Sequence, residues 1–542
     1  MSRSGSRGAP LSRWSQYGNA DPVVMDGWCS QVLAGPSVLF AANGLTLDAA
    51  GHLVVTQLFG GQVSRVDPST GASEVVLSPS MGATPPDDAI HLHDGRLALT
   101  EPFAGAVSIM TGADGLQRLP YDLPGANGIA TDPERRRLFV TEFREQGRLV
   151  EVDPDGVAPM SVLLEDLDWP NALAEFDGAL YFPLVHLGQV RAYELATGKT
   201  RIVSRDLSLP TAVKVLADGR LVVSEAGSGH ITAIDPMSGV TEVLAELEPA
   251  VDNLVPAPDG TLYATHFDTG KIVAVGNGAN REVLGPGLIG PYGVEVGADG
   301  TILIADGVSV KVVESDGPFR SDLHALVDFP WLITAAVRVE SNVLVIVAHG
   351  VGILEWTPEI EGSDRLLAGP EQIEDPVGLV LDPDDPTRVL VCDRARGAVW
   401  SIGRDGTMER VVQGLEEPQA VARDAAGRLW VSHGTNAVSV HAGDEVVTTL
   451  EGFGAPQGIA VSAGRVLVAD VERRQLVGVD VATLDRYVVM HSAPIGPPDT
   501  VGVPFGFCAI TADASGFIVG CNGDGSVRRV TLKRPRFDAA SL

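Results

Sequence analysis

Aromatic residues are scarce in this chain of 542 residues, at 5%, and cysteine is scarcer still, with Cys29, Cys392, Cys508 and Cys521 as the whole complement. The four are scattered without zinc-type spacing and read as reduced thiols. Cys508 and Cys521 are expected on adjacent strands of one sheet. No apolar run approaches the roughly 20 residues that span a bilayer. The N-terminal MSRSGSRGAPLSRWSQYGNADP carries positive charge with no apolar segment behind it, which is not a secretory pattern, so a cytoplasmic location is expected. There is no Gly-x-Ser-x-Gly elbow, phosphate-binding glycine loop or dinucleotide fingerprint, which argues against serine hydrolases and nucleotide enzymes. Positive charge is also short: 39 Lys and Arg stand against 70 Asp and Glu, a net charge of −31. Such a surface repels nucleic acid and anionic membranes and attracts divalent cations. A small-molecule substrate is the partner expected.

What the chain does have is a repeat. About every 42 residues a Pro-x-Gly/Ala-like entry leads into an apolar strand, an Asp-Gly-type turn and a second strand with a polar end. GANGIATDPERRRLFVTE from Gly125, PTAVKVLADGRLVVSE from Pro210 and APQGIAVSAGRVLVAD from Ala455 show it plainly. Repeats of this length built from short strands are the mark of a β-propeller. The x position falls at Asn43, Asp88, Asn127, Asn171, Thr211, Asn253, Tyr292, Thr334, Val377, Gln419, Gln457 and Phe505. Twelve copies exceed one propeller, so the fold expected is all-β, two tandem six-bladed propellers of four-stranded blades. Seven blades plus five is the alternative.

A free sheet edge is a liability, so each ring should be closed by a strand borrowed from elsewhere. The run Ser30–Pro36 precedes the first entry motif, and the last unit has no fourth strand. The expectation is that each propeller is closed by its own N-terminal strand: Ser30–Pro36 completes the Asn253 blade, and Arg281–Gly287 completes the Phe505 blade. This gives a tail at 1–28, a first propeller at 29–278, a second at 279–535 and a C-terminal tail at 536–542. The GNGAN at Gly276–Asn280 has a linker's composition.

The x residues begin the innermost strands and so ring the central channels. The first ring holds Asn43, Asp88, Asn127, Asn171, Thr211 and Asn253, with Asp87 and Asp252 one residue upstream; the second is neutral and partly apolar. Asn and Asp oxygens are hard ligands of the kind Ca²⁺ takes, six to eight at a time. Asp88, Asn127, Asn171, Asp252, Asn253 and Asn43 are the candidate metal ligands. His266 ends the second strand of the Asp252–Asn253 blade, and an ordinary imidazole is a suitable general base at neutral pH. Gln57, Glu101, Glu142, Glu225, Asp306, His349, Asp393, His433 and Asp470 hold the same strand-end position in other blades. Their spread over both rings points to blade geometry rather than chemistry.

WPNALAEFDGALYFPLVHLGQVRAYEL (Trp169–Leu195), VDNLVPAPDGTLYATHFDTGKI (Val251–Ile272) and PDDAIHLHDGRLALTE (Pro86–Glu101) resemble blades of the calcium-dependent six-bladed hydrolases. That group comprises the senescence-marker/gluconolactonase proteins (SMP-30-like), the paraoxonases and the phosphotriesterase-like fluorophosphatases. The resemblance covers the first half; the second shares only the blade pattern. It implies one channel Ca²⁺ held by Asn127, Asn171, Asp88 and Asp252 with Asn253. It also implies proton handling by His266, Asp88 or Asp252, and hydrolysis of a lactone or related ester. The endings TEFREQGRL and SEAGSGHI also resemble the streptogramin lyases, which implies elimination with Glu225, His230 and His266 at work. A third expectation, from the NHL-like repeat alone, is a non-catalytic binding platform.

Overall fold

In a computed structural model the described residues are 22–112, 115–276, 279–297, 299–314, 320–323, 332–340, 342–358, 360, 363–434, 436–443, 445–496 and 507–533. Phe505 therefore lies outside them. The described residues form twelve antiparallel sheets, eleven of four strands and one of five. Among them no helix is long and apolar enough to cross a membrane.

Two rings result. The inner strands of blades one to six are Ala42–Leu47, Ala89–His91, Ala126–Thr131, Ala174–Phe176, Pro210–Val215 and Val251–Pro256. Blade six packs back on blade one. Blades seven to twelve repeat the arrangement from Pro291–Val296 to Ile510–Asp513, and blade twelve packs on blade seven. Apolar side chains alternate into the spaces between blades, so the core is a series of inter-blade clusters and not one mass. Leu39, Leu45, Val55, Ile272 and Leu284 fill the seam between blades six and one. Val, Leu, Ile and Ala suit these thin seams, which is why so few aromatics are needed.

The closing strands differ from expectation. Arg281–Leu284 pairs with Ile272–Val275 of its own blade six. Trp28–Ala34 pairs with Ser526–Leu532 and completes blade twelve. Removing free edges favours either assignment equally. What decides is proximity along the chain: only five residues separate Val275 from Arg281, and a short hairpin costs far less loop entropy than pairing with a strand some 240 residues away. Both strands belong to blade six, so the boundary between the rings does not fall between Val275 and Arg281. With the first ring complete on its own, the one blade lacking a fourth strand is the last, and the N-terminal strand fills it.

The first ring is therefore inserted into the second. The chain leaves blade twelve after Ala34, builds blades one to six, and re-enters the second ring at blade seven. The two crossings run side by side as a parallel bridge between Pro36 and Leu288, with Ser37 N–H donating to Leu288 O at 2.8 Å and Leu288 N–H to Gly35 O at 3.0 Å. Phe40, Phe59 and Phe267 of the first ring pack on Ile289 and Val308 of the second. The wholly buried Lys311 ammonium of blade seven pairs with Asp306 and donates to Asp268 O of blade six at 2.6 Å.

Candidate functional site

Four blades of the first ring use the same local device to aim a residue at the channel. In blades one, three, five and six the pairing of the first two strands slips between Ala42 and Leu45, Ala126 and Ile129, Pro210 and Ala212, and Val251 and Leu254. Such a bulge re-aims a side chain that the pleat would send between blades. The bulged residues are Asn43, Asn127, Thr211 and the Asp252–Asn253 pair. Asp88 and Asn171 lie at the entries of blades two and four, just before the inner strands. Gly44 follows Asn43 because a Cβ there would stand 2.5 Å from the Asp88 Cα.

The blades are latched around this ring. A Thr or Ser one residue before the strand end donates to a backbone carbonyl of the next blade's entry. Thr141 Oγ1 reaches Asn171 O at 3.0 Å and Ser224 Oγ reaches Asp252 O at 2.9 Å. Thr265 Oγ1 reaches Asn43 O at 2.8 Å, closing blade six onto blade one. The polar residue that follows serves its own blade's entry loop, as the repeat suggests. Gln57 Oε1 accepts Phe40 N–H at 2.8 Å, Glu101 Oε1 accepts Thr84 N–H at 2.8 Å, and Asp470 accepts Gly454 and Ala455 N–H at 2.8 and 3.1 Å. Glu225 Oε2 likewise accepts Ser208 N–H at 2.7 Å, which commits the residue the lyase resemblance would need.

Three carboxyls in the first channel lie close enough to feel one another's charge. Asp87, Asp88 and Asp252 are all buried. Burial, then the charges of Asp252 and Asp88, pushes the Asp87 carboxyl well above the ordinary range, although the Asn43 amide donates to it at 3.0 Å. Burial also raises Asp88, against the pull of Lys214. Burial and the charge of Asp88 push Asp252 up to about 7. Lys214, on the inner strand of blade five, sets its ammonium 3.9 Å from Asp88 Oδ2. This lysine lies outside the ring of entry residues. Its signal was a lone cation between two valines on a channel strand.

Three oxygens from three blades are buried here without a hydrogen-bond partner: Asp88 Oδ2, Asn127 Oδ1 and Asp252 Oδ2. Asn171 Oδ1 and Asn253 Oδ1 each accept the next residue's N–H, at 2.7 and 2.9 Å, and so partly serve the local turn. Thr211 is engaged with Ser224 Oγ at 3.0 Å and Val251 O at 3.2 Å. The donor set is hard oxygen throughout, which fits Ca²⁺ and not a soft metal. Among the described residues no three His, Cys, Asp or Glu side chains converge to hold a metal by themselves. Amide oxygens and water would have to complete its shell.

His266 departs from its expected place. Its charged neighbours are Asp268, Lys271 and Glu248, and it lines an outer groove with Glu246, Glu248 and Glu282. The physical reason is strand alternation: Thr265 faces blade one, so His266 faces blade five. Burial holds its imidazole down to about 4, and its Nε2 has no partner. The second channel is lined by Gly293, Ala335, Gly378, Ala420 and Gly458 with apolar neighbours, as its neutral entry residues suggest.

No family model matches the chain, and no curated protein matches it. Solved structures resemble parts of the chain at low identity. A streptogramin B lyase is similar at 19% identity over 51% of this chain and 94% of its own, with a TM-score of 0.38. A gluconolactonase from Xanthomonas campestris is similar at 17% identity over 46% and 93%, with a TM-score of 0.38. A virginiamycin B lyase from Staphylococcus aureus is similar at 14% identity over 59% and 95%, with a TM-score of 0.32. At these identities and scores the likeness carries no argument, and both architecture and chemistry rest on the strands and the channel of this chain.

Proposed function

We propose that the first channel is the active site of a divalent-cation-dependent hydrolase acting on a lactone or related ester. One observation carries the reading. Asp88 Oδ2, Asn127 Oδ1 and Asp252 Oδ2 are buried without a hydrogen-bond partner, and of the three only Asp88 has a cation, Lys214, at ion-pair distance. Burial raises all three carboxyls, and a bound cation would favour their ionised forms. Burying such a set with nothing to offset it costs several kcal/mol.

Asp88, Asn127 and Asp252 would hold the cation, with Asn43, Asn171 and Asn253 contributing through their remaining lone pairs. When bound, Ca²⁺ would supply Lewis-acid polarisation of the ester carbonyl. Lys214 offsets part of the charge at Asp88. The carboxylate of Asp252 takes the proton of the attacking water, a role the sequence reading shared between it, Asp88 and His266. His266 has no part, since it faces the outer groove. The second ring serves as a scaffold for the first.

The test is incubation of the full chain with a panel of lactones in ¹⁸O-water, with and without Ca²⁺. Hydrolysis gives a hydroxy acid carrying one solvent oxygen, only when Ca²⁺ is present. An alkene product would favour elimination instead, and no turnover of any member would favour a binding platform.

A further inference from the structure

A second site lies in the other ring, where the N-terminal strand completes blade twelve. A cavity of about 520 Å³ opens there between blades eleven and twelve. Arg465, Arg529 and Lys533 line it, three cations on a chain whose net charge is −31. Arg529 donates to Asp513 Oδ2 at 2.5 Å and to Ser515 Oγ. Arg465 and Lys533 have no carboxylate at ion-pair distance among the described residues, although Asp480 lies near enough to feel the charge of Arg465. Counting Asp513 and Asp480 against the three cations leaves one positive charge.

Trp28, Phe517 and Leu532 add apolar surface to the lining. Trp28 and Phe517 are both buried, and Trp28 stacks on Tyr487 with ring centroids 6.3 Å apart. Such a volume, part apolar wall and part fixed donors, is that of a small-molecule pocket. Guanidinium forks match the oxygens of phosphate and carboxylate two at a time. We infer that this cavity binds a small amphipathic oxyanion, a phosphate ester or carboxylate carrying an apolar group. The head lies against Arg465, Arg529 and Lys533 and the apolar body against Trp28 and Phe517. The site is independent of the chemistry in the first channel.

The pocket carries its own reporter. Cys29 lines it and is exposed, whereas Cys392, Cys508 and Cys521 are buried. Its thiol is 2.8 Å from Thr531 Oγ1. Alkylation of the native chain by iodoacetamide therefore reads access to this cavity.

Titration calorimetry of the full chain with phenyl phosphate and with benzoate is the test, alongside the rate of Cys29 alkylation. Binding of either, slowed alkylation at saturation, and at least tenfold weaker binding in both Arg465→Ala and Arg465→Gln are expected. Benzylammonium, of similar shape and opposite charge, should neither bind nor protect. Absence of binding by both oxyanions, equal affinity in the Arg465 variants, or inorganic phosphate binding as tightly as phenyl phosphate would each overturn the inference.

Discussion

The ammonium of Lys214 lies 3.9 Å from Asp88 Oδ2, reaching from blade five to blade two, which stand opposite each other in the first ring. Lys214 follows the entry residue Thr211 by three positions, so its side chain crosses the channel below the ring of entry residues. Among the described residues it is a cation at ion-pair distance from one of the three buried channel acids. Lys214→Met should lower the melting temperature most in chelator, by the equivalent of about 1–3 kcal/mol, because a buried charge loses its partner. Added Ca²⁺ should recover most of the loss. Thermal unfolding with EDTA and with Ca²⁺ measures this, and an equal loss in both would show that the lysine acts apart from the cation.

The latch from Thr265 Oγ1 to Asn43 O joins residues 222 apart in sequence and closes the first ring. Thr265→Val keeps the shape and removes the donor, leaving a buried carbonyl short of one partner. A loss of about 1–2 kcal/mol in denaturant unfolding is expected. Faster hydrogen exchange in Ala42–Leu47 than in Ala126–Thr131 would locate it at the seam.

His266 gives a pH dependence with a definite sign. Its folded value is held down to about 4, from an ordinary 6.5. Between those values the unfolded chain binds a proton that the folded chain does not. Its contribution to stability is intact above pH 6.5 and is lost as pH falls toward 4. The channel acids, whose values are raised, have the opposite slope. The comparison is therefore His266→Gln against the parent: the variant should lose less stability from pH 7 to 4, by on the order of a few kcal/mol. Parallel curves for the two would contradict the assignment.

Deleting residues 1–34 removes the strand Trp28–Ala34 and exposes the edge of Ser526–Leu532. Hydrogen exchange should then rise in blade twelve and at its seam with blade seven, with blades one to six unchanged. Loss of protection in blade six instead would restore the closure that the strand count alone suggests.

The repeat period and strand alternation made the twelve blades legible, and the x position located the channel residues, because every blade repeats the same local problem of turning one side chain inward. Closure was not legible. It depends on which of two equally suitable edges a strand reaches, and only the short Val275–Arg281 connection settles that. His266 was misplaced because a strand-end residue and its neighbour, Thr265, face opposite sides, and the sequence does not say which side is the channel. Lys214 was not legible because it is not an entry residue and lies deeper on the same strand. The amphipathic cavity has no motif at all: Trp28, Arg465 and Lys533 meet only because the N-terminal strand joins the last blade.

The central claim is that the first channel is built around a divalent cation. Elemental analysis of purified, dialysed protein tests it most directly, with Asn127→Ala and Asp88→Asn beside the parent. About one Ca²⁺ per chain is predicted in the parent and a weakened or lost ion in both variants. A parent that holds no metal even after Ca²⁺ is added back, or variants that retain it fully, would contradict the account.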